Sequence, residues 1–269
     1  MKSKFSQRIR IQVFLFLQLL TIAGILLPTL FLQAAEKDPY SGLWVGIVEV
    51  NQVGHWKTGS TEATLEPTVT PFPFRVLFHV DSKGNVKLLS RVYIVQNPQG
   101  LITTNTETGT LQTNSVTLLF ATQTALKAYQ TTNQAKLTIR RISSANFPVV
   151  DPIPCQGHFG GTNRLTVTVT VPYNHPTNPF VHPFAPLHDN KKIQNGVSQE
   201  LPEGVESWTL TRYLTFSFSA SDPQNANSPL WNVRLTGGDY TEQFQGFSRS
   251  IPIAGSFRLQ KILNNSTLY

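Results

Sequence analysis

Leu165-Thr166-Val167-Thr168-Val169-Thr170-Val171 alternates apolar and hydroxylated residues without a break. Side chains along a strand point to opposite faces in turn, so the four aliphatic residues share one face and the three threonines the other. Every residue but Leu165 is β-branched, which restricts χ1 and suits a pleated, half-buried backbone. The same period recurs on both sides of this stretch. Phe74, Val76, Phe78 and Val80 alternate with Arg75, Leu77 and His79, and Asp81-Ser82-Lys83-Gly84-Asn85 supplies turn chemistry before Val86, Leu88, Val92 and Ile94. This predicts a hairpin over 74–95. Trp44, Gly46, Val48 and Val50 share one face of a strand beginning at Gly42, while Leu43, Val45 and Ile47 give its other face an apolar start.

Further strands are expected at Val116–Ala121, Lys136–Ile142, Trp208–Phe218, Trp231–Leu235, Asp239–Gln245 and Ser256–Ile262, with Gly237-Gly238 and Gly246 to Gly255 as separators. Helical periodicity is confined to 122–132, where Ala125, Leu126 and Tyr129 are the apolar positions. The chain therefore reads as all-β and mainly antiparallel. Gly42-Leu43-Trp44 opens the domain as calycin-type barrels open, which favours an up-and-down or partly open barrel, with a two-sheet sandwich as the alternative. A membrane-spanning barrel is excluded by the terminal residues: Lys261, Leu263, Asn265 and Thr267 make no lipid-facing stripe.

Residues 1–35 read as an export leader. Lys2, Lys4, Arg8 and Arg10 precede an apolar run from Ile11 to Leu32 that ends at Ala34-Ala35. Gln12, Gln18, Thr21 and Pro28 dilute the run, so cleavage is expected near Ala34 or Ala35, with an uncleaved anchor as the alternative. After cleavage no membrane span is expected, and the protein is placed in the periplasm, at the cell surface or outside the cell. The whole chain carries 22 Lys+Arg against 15 Asp+Glu. Without the four leader cations the balance is 18 against 15, which is no electrostatic footprint for nucleic acid. Cys155 stands alone, so no disulfide staples the fold; it is expected to act as a small buried apolar residue. Stability must come from a core, and residues 36–269 are expected to form one domain.

Prolines at 172, 176, 179, 183, 186 and 202 rule out a continuous ladder and predict a long surface loop over 172–202. Its His175, His182, His188 and Asp189 have metal-ligand side chains and suit zinc or another first-row divalent ion. Their spacings match none of the compact zinc patterns, so the expectation is turn-capping histidines and no cofactor. Trp44, Trp208 and Trp231 are the candidate ligand-binding aromatics, with core anchoring as their other reading.

Asn178-Pro179-Phe180-Val181-His182 followed by His188-Asp189-Asn190 resembles a loop of exported β-rich bacterial proteins with no established activity. Phe72-Pro73-Phe74-Arg75, His79-Val80-Asp81, Gly42-Leu43-Trp44-Val45-Gly46 and Gly255-Ser256-Phe257-Arg258-Leu259 resemble the same group. The resemblance spans most of the mature chain and implies an exported β-fold without supplying a function. That group carries a second His and an Asp where this chain has Ala185 and Leu187, which thins any metal site here.

No G-x-S-x-G elbow, phosphate-binding glycine loop or H-E-x-x-H motif occurs in the sequence. Three function classes follow. The first is a binding or structural module of the cell envelope, partnered by a polymer, a protein or another envelope component. The second is a carrier of a small apolar ligand in a barrel cavity. The third is a metal-dependent enzyme or metal binder built on the 175–189 loop.

Overall fold

The computed structural model describes residues 37–104, 109–133, 136–144, 146–147, 149–176, 178 and 191–269. Within the compact unit Lys37–Tyr269 the order is β1 (Gly42–Trp56), β2 (Ala63–Val80), β3 (Val86–Leu88), β4 (Arg91–Thr104), β5 (Leu111–Phe120), α1 (Gln123–Thr132), β6 (Thr138–Ser143), β7 (Ile153–Pro154), β8 (Gln156–Gly157), β9 (Arg164–Val171), β10 (Lys191–Gln194), β11 (Val197–Glu200), β12 (Leu210–Phe218), β13 (Leu235–Gln245) and β14 (Ile251–Leu263). The chain is all-β as expected, and every ladder between these strands is antiparallel.

Nine strands form the main sheet, in the order β7-β3-β2-β1-β14-β13-β12-β9-β8. Phe78 on β2 and Phe216 on β12 are four strands apart in that order, about 19 Å if the sheet were flat. Their ring centroids lie 5.0 Å apart. The sheet must therefore curl so that its inner faces meet, and Phe74 on Tyr240 (5.7 Å) repeats the contact at another level. Its two ends are consecutive in sequence: β7 and β8 are separated by Cys155 alone. Among the described residues no closed barrel results, because each end pairs only with its own neighbour, β3 or β9. The arrangement is sandwich-like, while β3-β2-β1 and β14-β13-β12 keep an up-and-down order.

Inward positions fill the curl with one cluster, in which Trp44, Tyr240, Phe78, Phe147 and Phe216 are the largest fully buried side chains. A second sheet, β5-β4-β6, lies on the outer face. Val92, Leu119 and Ile142 from it meet Leu43, Val45 and Leu77 of the main sheet. α1 covers its other side through Leu126, Ala125 and Tyr129 on Tyr93, Val95 and Phe120. This explains why β4 is apolar on both faces. Thr122 caps α1 by accepting from the Ala125 amide, so the helix lies where the periodicity put it.

Four expectations need correction. Trp231–Leu235 is a turn and not a strand, closed by an isolated bridge between its two ends. The hairpin over 74–95 exists only from Phe78↔Leu88 to Val80↔Val86; Leu89 turns the chain away, and Val92 and Ile94 belong to the second sheet. Gly237-Gly238 does not separate strands but lies inside β13, where a Cβ would come within 2.3 Å of the Phe257 carbonyl or 2.0 Å of the Ser217 carbonyl. The 172–202 excursion carries its own hairpin, β10–β11, turning on Asn195-Gly196 with φ of 53° and 76°. Those are the conformations that an Asn-Gly turn between short strands adopts.

Candidate functional site

The outer face of the main sheet is treated in two ways along its strands. On β1, Leu43 and Val45 lie under the second sheet, but the next outward residues, Ile47 and Glu49, emerge from it. The cover ends at Arg75, the partner of Ile47, where an Arg75 guanidinium N–H donates to the Ser143 carbonyl at the end of β6 (3.3 Å). Beyond that line Ile47 is 50% exposed, although it continues an apolar row.

Over this uncovered region stands the segment between β12 and β13. Arg258, outward on β14, donates twice to the Asp222 carboxylate (2.7 and 2.6 Å) and lies over the Trp231 ring at 5.3 Å. The Trp231 indole N–H donates to the Ser219 carbonyl (2.9 Å). Gly237 leaves room for the indole, which would lie 3.2 Å from a Cβ there. The segment is thus clamped at its start by an ion pair and at its end by a ring seated on glycine. Between segment and sheet opens a cleft of about 210 Å³. Ile47, Glu49, Ser256 and Arg258 form its floor, and Pro223, Gln224 and Trp231 its wall. Asp222 already occupies Arg258, and that guanidinium holds the carboxyl down at about 2. Glu49 is the floor's other charge, beside Ser256 and the amide of Gln224 across the cleft. The cleft therefore offers a carboxylate, a hydroxyl and an amide around an aliphatic and aromatic patch. Such groups can hydrogen-bond the hydroxyls of a ligand whose apolar face lies on the patch.

From the cleft floor a row of outward side chains crosses five strands in register: Glu49, Ser256, Asp239, Ser217 and Arg164. The neighbouring row is Ala254, Thr241, Thr215 and Thr166, and the one after it Pro252, Gln243, Tyr213 and Thr168. Tyr213 is 44% exposed.

The three candidate tryptophans fall in three different places. Trp44 is fully buried, its N–H donating to the Tyr40 carbonyl (2.7 Å) and its ring 4.9 Å from Phe159, so it anchors the core and presents no face to a ligand. Trp231 lines the cleft by an edge. Trp208 is 42% exposed and lies ahead of β12, its carbonyl accepting from the buried Asn178 side chain (2.8 Å). Of the candidate metal ligands, His175 accepts the Asn178 amide through its carbonyl (2.8 Å), while His182, His188 and Asp189 lie outside the described residues. Among the described residues no three His, Cys, Asp or Glu side chains group as metal ligands.

Sequence reading missed Ile47, Glu49, Asp222, Gln224 and Arg258 as a site. The available signal was on β1, whose outward face changes from Leu43, Val45 and Ile47 to Glu49. An apolar run on a face that should meet water implies a covering layer, and its last residue marks where the layer stops. No family model and no curated protein matches this chain.

Proposed function

We propose that this protein is an exported binding module of the cell envelope that holds its partner on the uncovered outer face of the main sheet, with the cleft as the point of attachment. What carries this reading is the contrast along β1: the same face is sealed by a second sheet up to Val45 and left open at Ile47, under a segment clamped by Arg258 and Asp222. Concave sites that combine apolar and aromatic side chains with a few convergent polar groups are where ligands bind, and the cleft has that make-up. Export is supported by the basic, apolar and small-residue order of residues 1–35. A carrier of apolar molecules needs an empty interior, and here inward rings pack at centroid distances near 5 Å. No described helix is long and apolar enough to cross a membrane.

The test is co-sedimentation of the purified protein with isolated envelope material, beside an Ile47→Arg, Glu49→Lys double variant that fills and recharges the cleft. The reading expects sedimentation that the double variant loses while keeping its unfolding midpoint. Absence of sedimentation overturns the module, and sedimentation unchanged by the substitutions overturns the site.

A further inference from the structure

The cleft opens onto a sheet face of unusual composition. Across β9, β12 and β13 the outward residues in the two rows beyond the cleft floor are Thr166, Thr168, Thr215, Thr241, Tyr213 and Gln243. None of these side chains carries a charge and none is aliphatic. In the floor row Asp239 and Arg164 flank Ser217 with opposite sign, which leaves Glu49 at the cleft as the row's one uncompensated charge.

Those facts discriminate among partners. A polyanion is held by clustered Lys and Arg that release its counterions, and among the described residues this face presents no such cluster. A protein partner needs an apolar core to its interface, and the rows supply only one aromatic ring on β12 with Ala254 and Pro252 at their β14 end. A hydroxyl both donates and accepts, so a surface of hydroxyls and amides pairs with a polyol without either side burying an unmatched donor or acceptor. Tyr213 adds an exposed ring against which the C–H face of a sugar can lie, its own hydroxyl remaining in water. Strand pairing places the side chains about 4.8 Å apart across the sheet and about 6.8 Å apart along each strand, a grid on the scale of successive sugar rings.

We infer that this face binds a neutral polysaccharide chain, seated at one ring in the cleft against Ile47 and Trp231 and continuing over the threonine rows past Tyr213. The inference rests on the binding-module reading and specifies its ligand. Glu49, Gln224 and Ser256 hydrogen-bond the ring at the attachment point. The Asp222–Arg258 pair fixes the wall and contributes no charge to the ligand.

Affinity electrophoresis of the purified protein through native gels containing hydroxyethyl cellulose, dextran or soluble starch, with polygalacturonate as an anionic comparison, tests this. The expected result is retardation by at least one neutral polymer that persists in 0.5 M salt, on the order of tenfold weaker in Tyr213→Ala. Thr241→Glu, which places a charge and a longer side chain in the middle row, is expected to weaken it as well. Both sites are at the surface, so circular dichroism and unfolding midpoints should match the parent protein. Retardation by no neutral polymer, in a protein that still sediments with envelope material, overturns the ligand class and leaves the binding module standing. Retardation by polygalacturonate alone, abolished by salt, also overturns it, and retardation by a neutral polymer that neither substitution alters overturns the placement.

Discussion

Arg212 and Glu242 form an ion pair inside the curl of the main sheet, diagonal to each other on β12 and β13. The second guanidinium contact, from Nη2 to Glu242 Oε2, is 3.1 Å. Arg212 also donates to the Asn146 carbonyl (2.9 Å) and lies over Phe147 at 5.2 Å and Phe244 at 5.5 Å. The Tyr240 hydroxyl donates to the same carboxylate, so the group is satisfied from both sides. In the alternation of β12 an arginine occupies a position that should be apolar, between Leu210 and Leu214. Its partner is the equally anomalous inward glutamate two residues beyond Tyr240.

Breaking this pair on one side should be costly. Glu242→Ala leaves Arg212 buried without its counter-ion and is expected to lose about 3–5 kcal/mol in urea denaturation. Replacing both, as Arg212→Met with Glu242→Leu, should restore much or all of that loss, since well-packed apolar residues often match a buried pair. Tyr240 provides a spectroscopic check. Burial first, and the Glu242 charge second, push its phenol well above the usual tyrosine range. Absorbance titration of the folded protein should therefore leave at least one tyrosine un-ionised at pH 11. Full ionisation of all tyrosines with the fold intact, or a double variant no more stable than the single one, would refute this description.

The alternating strands were legible in the sequence because one buried face imposes a period of two: Leu165–Val171, Phe74–Val80 and Leu210–Phe218 all lie where the pattern puts them. Layering was less legible. Val92 and Ile94 continue the alternation of β2 and β3 as a sequence, yet they cross to another sheet, because nothing local distinguishes the next strand of a meander from the first strand of a covering layer. The glycines at 237 and 238 read as a turn, since close approach of the Phe257 and Ser217 carbonyls is a tertiary fact. The β10–β11 hairpin has a local signal in Asn195-Gly196, which the reading of 172–202 as one proline-rich loop passed over. For the cleft, composition gave no warning: Asp222 reaches Arg258 across 36 residues, and only the emergence of Glu49 after Ile47 marked the uncovered face.

Cys155 sits at the seam between β7 and β8, its amide donating to the Val86 carbonyl (2.9 Å) and its side chain packed against the inner core. Burial pushes its thiol from 9.0 up to about 12. Three pH units mean roughly a thousandfold less thiolate at pH 8 than for a thiol at 9.0. Reaction with a disulfide reagent such as dithiobisnitrobenzoate should be slow in the native protein and rapid in 8 M urea. Prompt labelling of the folded protein would show the seam to be open and the thiol solvated.

His79 ties the residues after β14 back to β2. It is 2% exposed, and its Nε2 lies 3.0 Å from the Asn265 carbonyl. The side chain of the same Asn265 donates to the Thr117 carbonyl (2.6 Å), and further along the tail Tyr269 pairs with Leu119 and Ala121 (2.9 and 2.7 Å), covering the edge of β5. The tail thus binds both sheets, and His79 is its titratable contact. Burial lowers the His79 pKa below 6.5, and Lys87 opposes protonation as well, against a raising influence from the Asn265 carbonyl and Asp81. The sign follows from which state takes the proton first. As pH falls below about 6.5 the unfolded chain protonates at this position and the folded one does not, so unfolding gains and stability declines until the folded-state value is passed. One such group contributes a slope of at most about 1.4 kcal/mol per pH unit. Urea midpoints measured between pH 7.5 and 5.0 should fall in the parent protein more steeply than in His79→Gln, whose amide can still donate to Asn265 but does not titrate. The comparison cancels carboxylates that begin to protonate near the acid end. Parallel midpoint curves for the two proteins would rule out His79 as the source of the acid sensitivity, and would place it in the carboxylates instead.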